Sequence, residues 1–97
     1  MPSLIYSEAA LADLERLATF RSDESTEAGL EVVRLILDAA DILIDHPLMG
    51  RRGDPPHREL VISHGRSGYI ALYHIDEPRN RVGVDAIRHQ HEAGFND

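Results

Sequence analysis

A chain of 97 residues supports one hydrophobic core and is too short for two, so we expect a single domain over residues 1–97. Hydrophobic residues make up 42% and charged residues 28%, as in ordinary globular domains. The absence of cysteine excludes a disulfide framework and a zinc site with thiolate ligands. The first residues lack a basic segment followed by an apolar one, and no stretch approaches the roughly 20 apolar residues of a membrane helix. We therefore expect a cytoplasmic protein that does not contact a membrane.

The formal net charge of -7 is unevenly distributed along the chain. Residues 1–47 contain ten acidic residues and three arginines, whereas residues 48–97 contain seven of each. Every basic residue is arginine, whose planar guanidinium suits bidentate recognition of carboxylate or phosphate. All six histidines lie at or after His46. Any surface that faces an anion should therefore belong to the second half.

The first predicted elements are a short strand and an amphipathic helix. Residues 3–6 form an apolar run that ends at Ser7, a preferred N-cap residue, and Glu8 then lies favourably in the first helical turn. Apolar residues recur at spacings of three and four, which predicts a helix with one buried face. That face comprises Ala10, Leu11, Leu14, Leu17 and Ala18.

A second helix is expected after the polar connection 21–26, with Ser25 near its start. Its polar stripe has spacings of three and four and comprises Glu31, Arg34, Asp38, Asp41 and Asp45. Almost all the remaining positions from Leu30 to Ile44 are apolar. This apolar face is wider than packing against a single neighbouring element requires. Two interpretations remain open: the helix packs between a sheet and the first helix, or part of its apolar face binds a partner. In the first interpretation, the residues that face the sheet are Val32, Leu35, Ile36, Ala39, Ile42 and Leu43. The residues that contact the first helix are Val33, Leu37, Ala40 and Ile44.

The second half of the chain predicts strands. Residues 46–56 contain three prolines and two glycines, which end the helix and predict a loop. Residues 58–63 form a strand pattern, followed by a glycine-bearing turn at 64–68.

The last third predicts a β-hairpin around which the chain is organised. Its strands are residues 69–75 and 82–90, and a turn cluster with a proline separates them. Both faces of the strand 69–75 are largely apolar, so this strand should be central. The order strand, helix, helix, strand, strand, strand predicts an α+β fold in which a helical hairpin packs on a mostly antiparallel sheet.

Five segments in this order resemble the RelE/ParE toxin superfamily. They are Leu11–Leu17, His46–Arg51, Arg58–Val61, Gly68–Tyr73 and Ile87–Phe95. The resemblance implies a compact toxin of a bacterial type II toxin-antitoxin pair, of the plasmid-stabilisation type, held inactive by a cognate antitoxin that wraps onto it. It implies no cofactor and no sequence-specific DNA binding by this chain alone.

The resemblance leaves two targets open. RelE-like members cut messenger RNA in the ribosome with Lys, Arg, His, Glu or Tyr side chains, whereas ParE-like members generally lack these residues and poison DNA gyrase. The acidic net charge, the absence of lysine and the presence of Phe95 where several RelE-like members have tyrosine favour the ParE-like activity. Ribosome-dependent cleavage of messenger RNA is the alternative, and a relative that retains the fold without toxicity is a third.

A nuclease would need a base, a cation beside the phosphate and an acid. The catalytic candidates, relevant only to a RelE-like activity, are Arg58, Arg88 and His89, with Arg51 as a further candidate. Strand alternation places Arg88 and His89 on opposite faces unless the strand ends or bulges there. Each also has a structural interpretation: Arg58 as a surface charge at a strand end, Arg88 as the partner of an acid such as Asp85 or Glu92, and His89 as a hydrogen-bonded histidine.

Metal and partner sites complete the expectations. His89 and His91 are spaced to share a strand face, but two ligands are fewer than a tight zinc site needs, so no metal is expected. The candidate residues for antitoxin binding are Arg51 and Arg52, together with the apolar Val33, Leu35 and Leu37 of the second helix.

Overall fold

Two helices pack on one face of a five-stranded sheet in the computed structural model, which describes residues 2–64 and 67–90. The elements are β1 (Ser3–Tyr6), α1 (Glu8–Ser22), α2 (Thr26–Asp45), β2 (Arg51–Arg52), β3 (His57–His64), β4 (Ser67–Asp76) and β5 (Arg81–His89). The strand order is β1-β5-β4-β3-β2. β1 runs parallel to β5, and the other pairs are antiparallel. The predicted α+β fold with a helical hairpin on a mostly antiparallel sheet is confirmed.

Local signals place the helix boundaries as expected. Ser7 and Ser25 are the N-caps, and their side chains accept hydrogen bonds from the backbone N–H groups of Ala10 and Ala28, both at 3.0 Å. α2 ends at Asp45, and the C-cap His46 precedes Pro47. This helix is the longer of the two, yet no described helix is both long and apolar enough to cross a membrane.

The predicted loop 46–56 contains a two-residue strand that sequence reasoning missed. Arg51 pairs with Glu59 and Arg52 with Arg58, so β2 forms an edge of the sheet beside β3. Nothing in the local sequence distinguishes this pairing from a loop, because two arginines between glycines have no strand pattern.

The core lies between the helices and the sheet. It includes Ala10, Leu14, Leu17, Val32, Ile36, Leu43, Leu60, Ile62, Tyr69, Ala71, Tyr73, Val82, Val84 and Ile87. β4 lies third in the strand order, as predicted for a central strand. Its open face is less covered than expected, because Leu72 and His74 are only half-buried there although Ile70 is buried.

The buried stripes of the helices are narrower than their apolar patterns. Leu11, predicted to be buried, is 52% exposed, and Ile42, predicted to face the sheet, is 44% exposed. In α2 the buried side chains are Val32, Ile36, Ala40 and Leu43, at the spacing of a single helical face. A single face of α2 therefore packs against both α1 and the sheet. The apolar residues on either side of this face remain partly accessible.

Candidate functional site

Arg58 lies on the helix-covered side of β3, where it holds a loop. It pairs across the sheet with Tyr73, a core residue. Its guanidinium donates to the carbonyl oxygens of Gly50 at 2.9 Å and Leu48 at 3.5 Å. These contacts attach the segment after α2 to the sheet, a structural role that differs from the expected surface charge at a strand end.

Tyr73, whose side chain is fully buried, also holds this loop through hydrogen bonds. The Tyr73 hydroxyl donates to the carbonyl oxygen of Pro47 at 2.6 Å and accepts from the backbone N–H of Gly50 at 2.9 Å. Sequence reasoning missed this contact, because it joins residues 26 and 23 positions apart and no local pattern reports it.

Arg88 is exposed and connects β5 to α1. Its Nη1 lies 3.3 and 3.4 Å from the two carboxylate oxygens of Asp13. The same carboxylate accepts a hydrogen bond from the backbone N–H of Ile87 at 2.9 Å. Among the described residues the acidic partner of Arg88 is thus Asp13 and not Asp85, and Glu92 lies outside the described residues.

His89 leaves β5 on the other face from Arg88, as alternation predicts. It pairs with the buried Tyr69, and the two rings meet edge to face with centroids 5.4 Å apart. Arg58 and Arg88 are also separated, because their β4 partners Tyr73 and Ile70 lie three residues, about 10 Å, apart. The structure does not bring these three candidates together, and His91 and Phe95 lie outside the described residues.

The proposed partner-binding residues differ in accessibility. Val33, Leu35 and Leu37 are half-buried, and the two leucines pack against the core. Arg51 forms an ion pair with Glu59 at 2.9 Å. Arg52 is exposed, and no ion pair joins it to another described residue.

A more accessible apolar region lies directly before these arginines. Leu48 is 66% exposed and Met49 55% exposed, in the loop held by Arg58 and Tyr73. We call Leu48, Met49, Arg51 and Arg52 the edge surface. It combines apolar side chains with positive charge at one edge of the sheet.

The open face of the sheet carries a second polar group that sequence reasoning missed. His57, His74 and Asp85 come from β3, β4 and β5, and their side chains meet there. The pairing of the two histidines could have been predicted from the β3–β4 hairpin. In an antiparallel hairpin that starts with residues 64 and 67 paired, His57 lies opposite His74. The position of Asp85 depends on a bulge and could not be read from the sequence.

Comparisons with known proteins agree with this fold. A family model described as "ParE toxin of type II toxin-antitoxin system, parDE" matches residues 4–94. Toxin RelE3 of Caulobacter vibrioides is 32% identical over 92 residues, covering 95% of this chain and 98% of that protein. A solved structure of the chromosomal ParDE system from P. aeruginosa has a TM-score of 0.78 at 22% identity, covering 91% of this chain and 95% of that one. The intact E. coli RelBE toxin-antitoxin complex gives 0.65 at 19% identity, with the same coverage.

Proposed function

Because the chain belongs to the ParE toxin family, within the RelE/ParE superfamily of type II toxin-antitoxin toxins, we propose that it is a ParE-like toxin that inhibits growth by binding DNA gyrase. Its activity then depends on a contact surface and involves no cleavage of RNA. The observation that carries this proposal is the separation of Arg58, Arg88 and His89, the groups that a nuclease would use.

Cleavage by a 2'-hydroxyl needs its base, acid and cationic donor around one phosphate, each within about 3 Å of its target atom. Arg58 donates to two backbone carbonyls on the helix side, and Arg88 binds Asp13. Recruiting either arginine would break contacts that hold a loop or a helix in place. The net charge of -7 further disfavours binding to ribosomal RNA.

The second part of the proposal is a cognate antitoxin that covers the edge surface. A partner segment with apolar and acidic side chains would bury Leu48 and Met49 and pair with Arg52. Ile42, near the end of α2, is 44% exposed and offers further apolar area. The half-buried Val33, Leu35 and Leu37 would then contribute only their accessible flanks.

The target can be tested with purified protein and in cells. We expect the protein to inhibit DNA supercoiling by gyrase, and its expression to induce a DNA-damage response without new 5' ends inside translated messages. Arg88→Ala and His89→Ala should retain gyrase inhibition in proportion to their folded fraction, because neither residue has a chemical role in this activity. Arg79→Ala, in the exposed β4–β5 turn, serves as the matched arginine control.

Two other outcomes would contradict gyrase inhibition. New 5' ends within open reading frames soon after induction, lost in Arg88→Ala or His89→Ala but retained in Arg79→Ala, would establish the RelE-like nuclease in place of the gyrase inhibitor. A folded protein that produces neither effect would support the relative without toxicity.

A further inference from the structure

We propose that His57, His74 and Asp85 form a binding site for a divalent transition-metal ion, with zinc as the best fit. Neither the nuclease candidates nor the edge surface contributes a ligand to it, although His57 also lines a cavity with Arg52 and Arg58. We call the three residues the His-Asp cluster.

The ligand atoms of the His-Asp cluster already converge. Oδ2 of Asp85 lies 2.7 Å from Nδ1 of His74 and 3.2 Å from Nε2 of His57. The two imidazole rings are almost perpendicular, with centroids 6.2 Å apart. One potential ligand atom from each residue lies within 4.8 Å of the others. A tetrahedral zinc ion with ligands at about 2.0–2.1 Å needs them about 3.3 Å apart, so small side-chain rotations are sufficient.

The sheet holds the two histidines side by side. His57 and His74 are directly paired on β3 and β4, so both rings project from the same open face. On the next strand, His74 pairs with Gly83, and a Cβ atom at that glycine would lie 2.5 Å from Cε1 of His74. The ring therefore occupies space that any other residue at position 83 would take.

A β-bulge and a helix cap position the carboxylate. Leu72 pairs with Ala86 and Tyr73 with Val84, which leaves Asp85 as an extra residue in β5. Val84 and Ile87 can therefore both face the core, although they are three residues apart. The carbonyl oxygen of Asp85 accepts a hydrogen bond at 3.1 Å from the hydroxyl of Ser7, the N-cap of α1. The bulge is thus attached to the first helix.

Two imidazoles and one carboxylate are a donor set that binds zinc, cobalt or ferrous iron. In the absence of metal, each imidazole N–H that points at Asp85 donates to its carboxylate. Binding requires the neutral tautomers with a lone pair at those nitrogens, and each ring proton then lies on the other nitrogen. A divalent ion bound to two neutral imidazoles and one carboxylate gives a group with a net charge of +1.

The surroundings leave room for further ligands. Between 30% and 36% of each of the three side chains is exposed. A cavity of about 220 Å³ beside His74 and Asp85 is also lined by Asp76 and Arg81. The Asp76 carboxylate already forms ion pairs with Arg79 at 3.3 Å and with Arg81 at 3.4 Å. Water can complete the coordination shell from this cavity, as at metal sites that keep an open position.

The test is direct titration of the purified, metal-free full chain with zinc chloride by calorimetry, and with cobalt chloride by visible absorption. We expect one ion per chain and a rise in the unfolding temperature with zinc. His74→Ala and Asp85→Asn should each weaken binding at least about tenfold, because losing a direct ligand costs no less than losing a residue that only orients one. Gly83→Ala should also weaken it, although every ligand remains.

His46→Ala is the matched control, since His46 is an exposed histidine at the end of α2, outside the cluster. It should bind zinc as the wild type does. The proposal fails if the wild type binds no more tightly than His74→Ala, or if His46→Ala loses as much affinity as the cluster variants. Thermal unfolding without metal separates loss of the site from loss of the fold.

Discussion

The hydroxyl of Tyr6 is a polar group that destabilises the folded state. This oxygen is buried, and no described residue forms a hydrogen bond with it. Burial and the nearby charge of Asp41 raise the pKa of Tyr6 to about 12. An unsatisfied buried hydroxyl is costly, so we expect Tyr6→Phe to leave the free energy of unfolding at neutral pH unchanged or to raise it by about 1 kcal/mol.

The same residue gives a pH dependence with a defined sign. An unfolded tyrosine ionises near pH 10 and the folded Tyr6 near 12, so ionisation of the unfolded state lowers stability as the pH rises between these values. Tyr6→Phe should lose less stability over this interval in urea titrations. The matched change Tyr73→Phe should cost about 2 kcal/mol at neutral pH, because it leaves Gly50 N–H and the Pro47 carbonyl without their partner. Equal effects of the two substitutions would contradict this contrast.

At the scale of elements, the two helix N-caps predict different losses. Ser25→Ala removes one cap hydrogen bond and should cost about 1 kcal/mol. Ser7→Ala removes the equivalent bond and also the bond to the Asp85 carbonyl, so about 2 kcal/mol is expected. Urea unfolding of both variants gives the comparison. If the two losses were the same, the bond between the cap and the bulge would contribute nothing.

The elements also show which features a sequence can predict. Helix starts, the β4–β5 hairpin and the central strand follow from patterns within about ten residues, and those predictions are confirmed. The β2 strand, the bulge at Asp85 and the contact between Arg88 and Asp13 depend on residues distant in the chain. For the same reason the catalytic candidates were chosen by residue type, whereas the His-Asp cluster is visible only once three strands are in register.

At the scale of the whole molecule, the core is complete without a partner. Its buried side chains come from both helices and from β3, β4 and β5, so we expect the purified chain to unfold cooperatively on its own. The large exposed apolar side chains of the described residues lie in several elements, and Phe20 near the end of α1 is the most exposed of them, at 71%. Binding of an antitoxin should therefore add stability by mass action, about 2.7 kcal/mol at a hundred times its Kd.

The exposed apolar residues of the edge surface give a test of where the antitoxin binds. Leu48→Ser combined with Met49→Ser should remove most of the affinity for the product of the neighbouring gene, measured by calorimetry. Phe20→Ser is the matched control, because it removes a more exposed apolar side chain from a different place. If Phe20→Ser were the damaging change, the partner would bind the tip of the helical hairpin and the proposed edge surface would be wrong.

Charge supplies the last prediction, since an overall acidic protein must attract an acidic partner segment through local arginines. Arg52→Ala should slow association and reduce its dependence on salt, because a charge at the rim of an interface acts mainly on the association rate. Arg79→Ala removes the same charge from the β4–β5 turn, where Arg79 contacts Asp76. It should change the rate less, because the charge of Arg79 is already compensated by Asp76, whereas no ion pair joins Arg52 to another described residue. Stopped-flow measurements at several salt concentrations distinguish the two, and equal slopes would mean that net charge alone, and not the edge surface, attracts the partner.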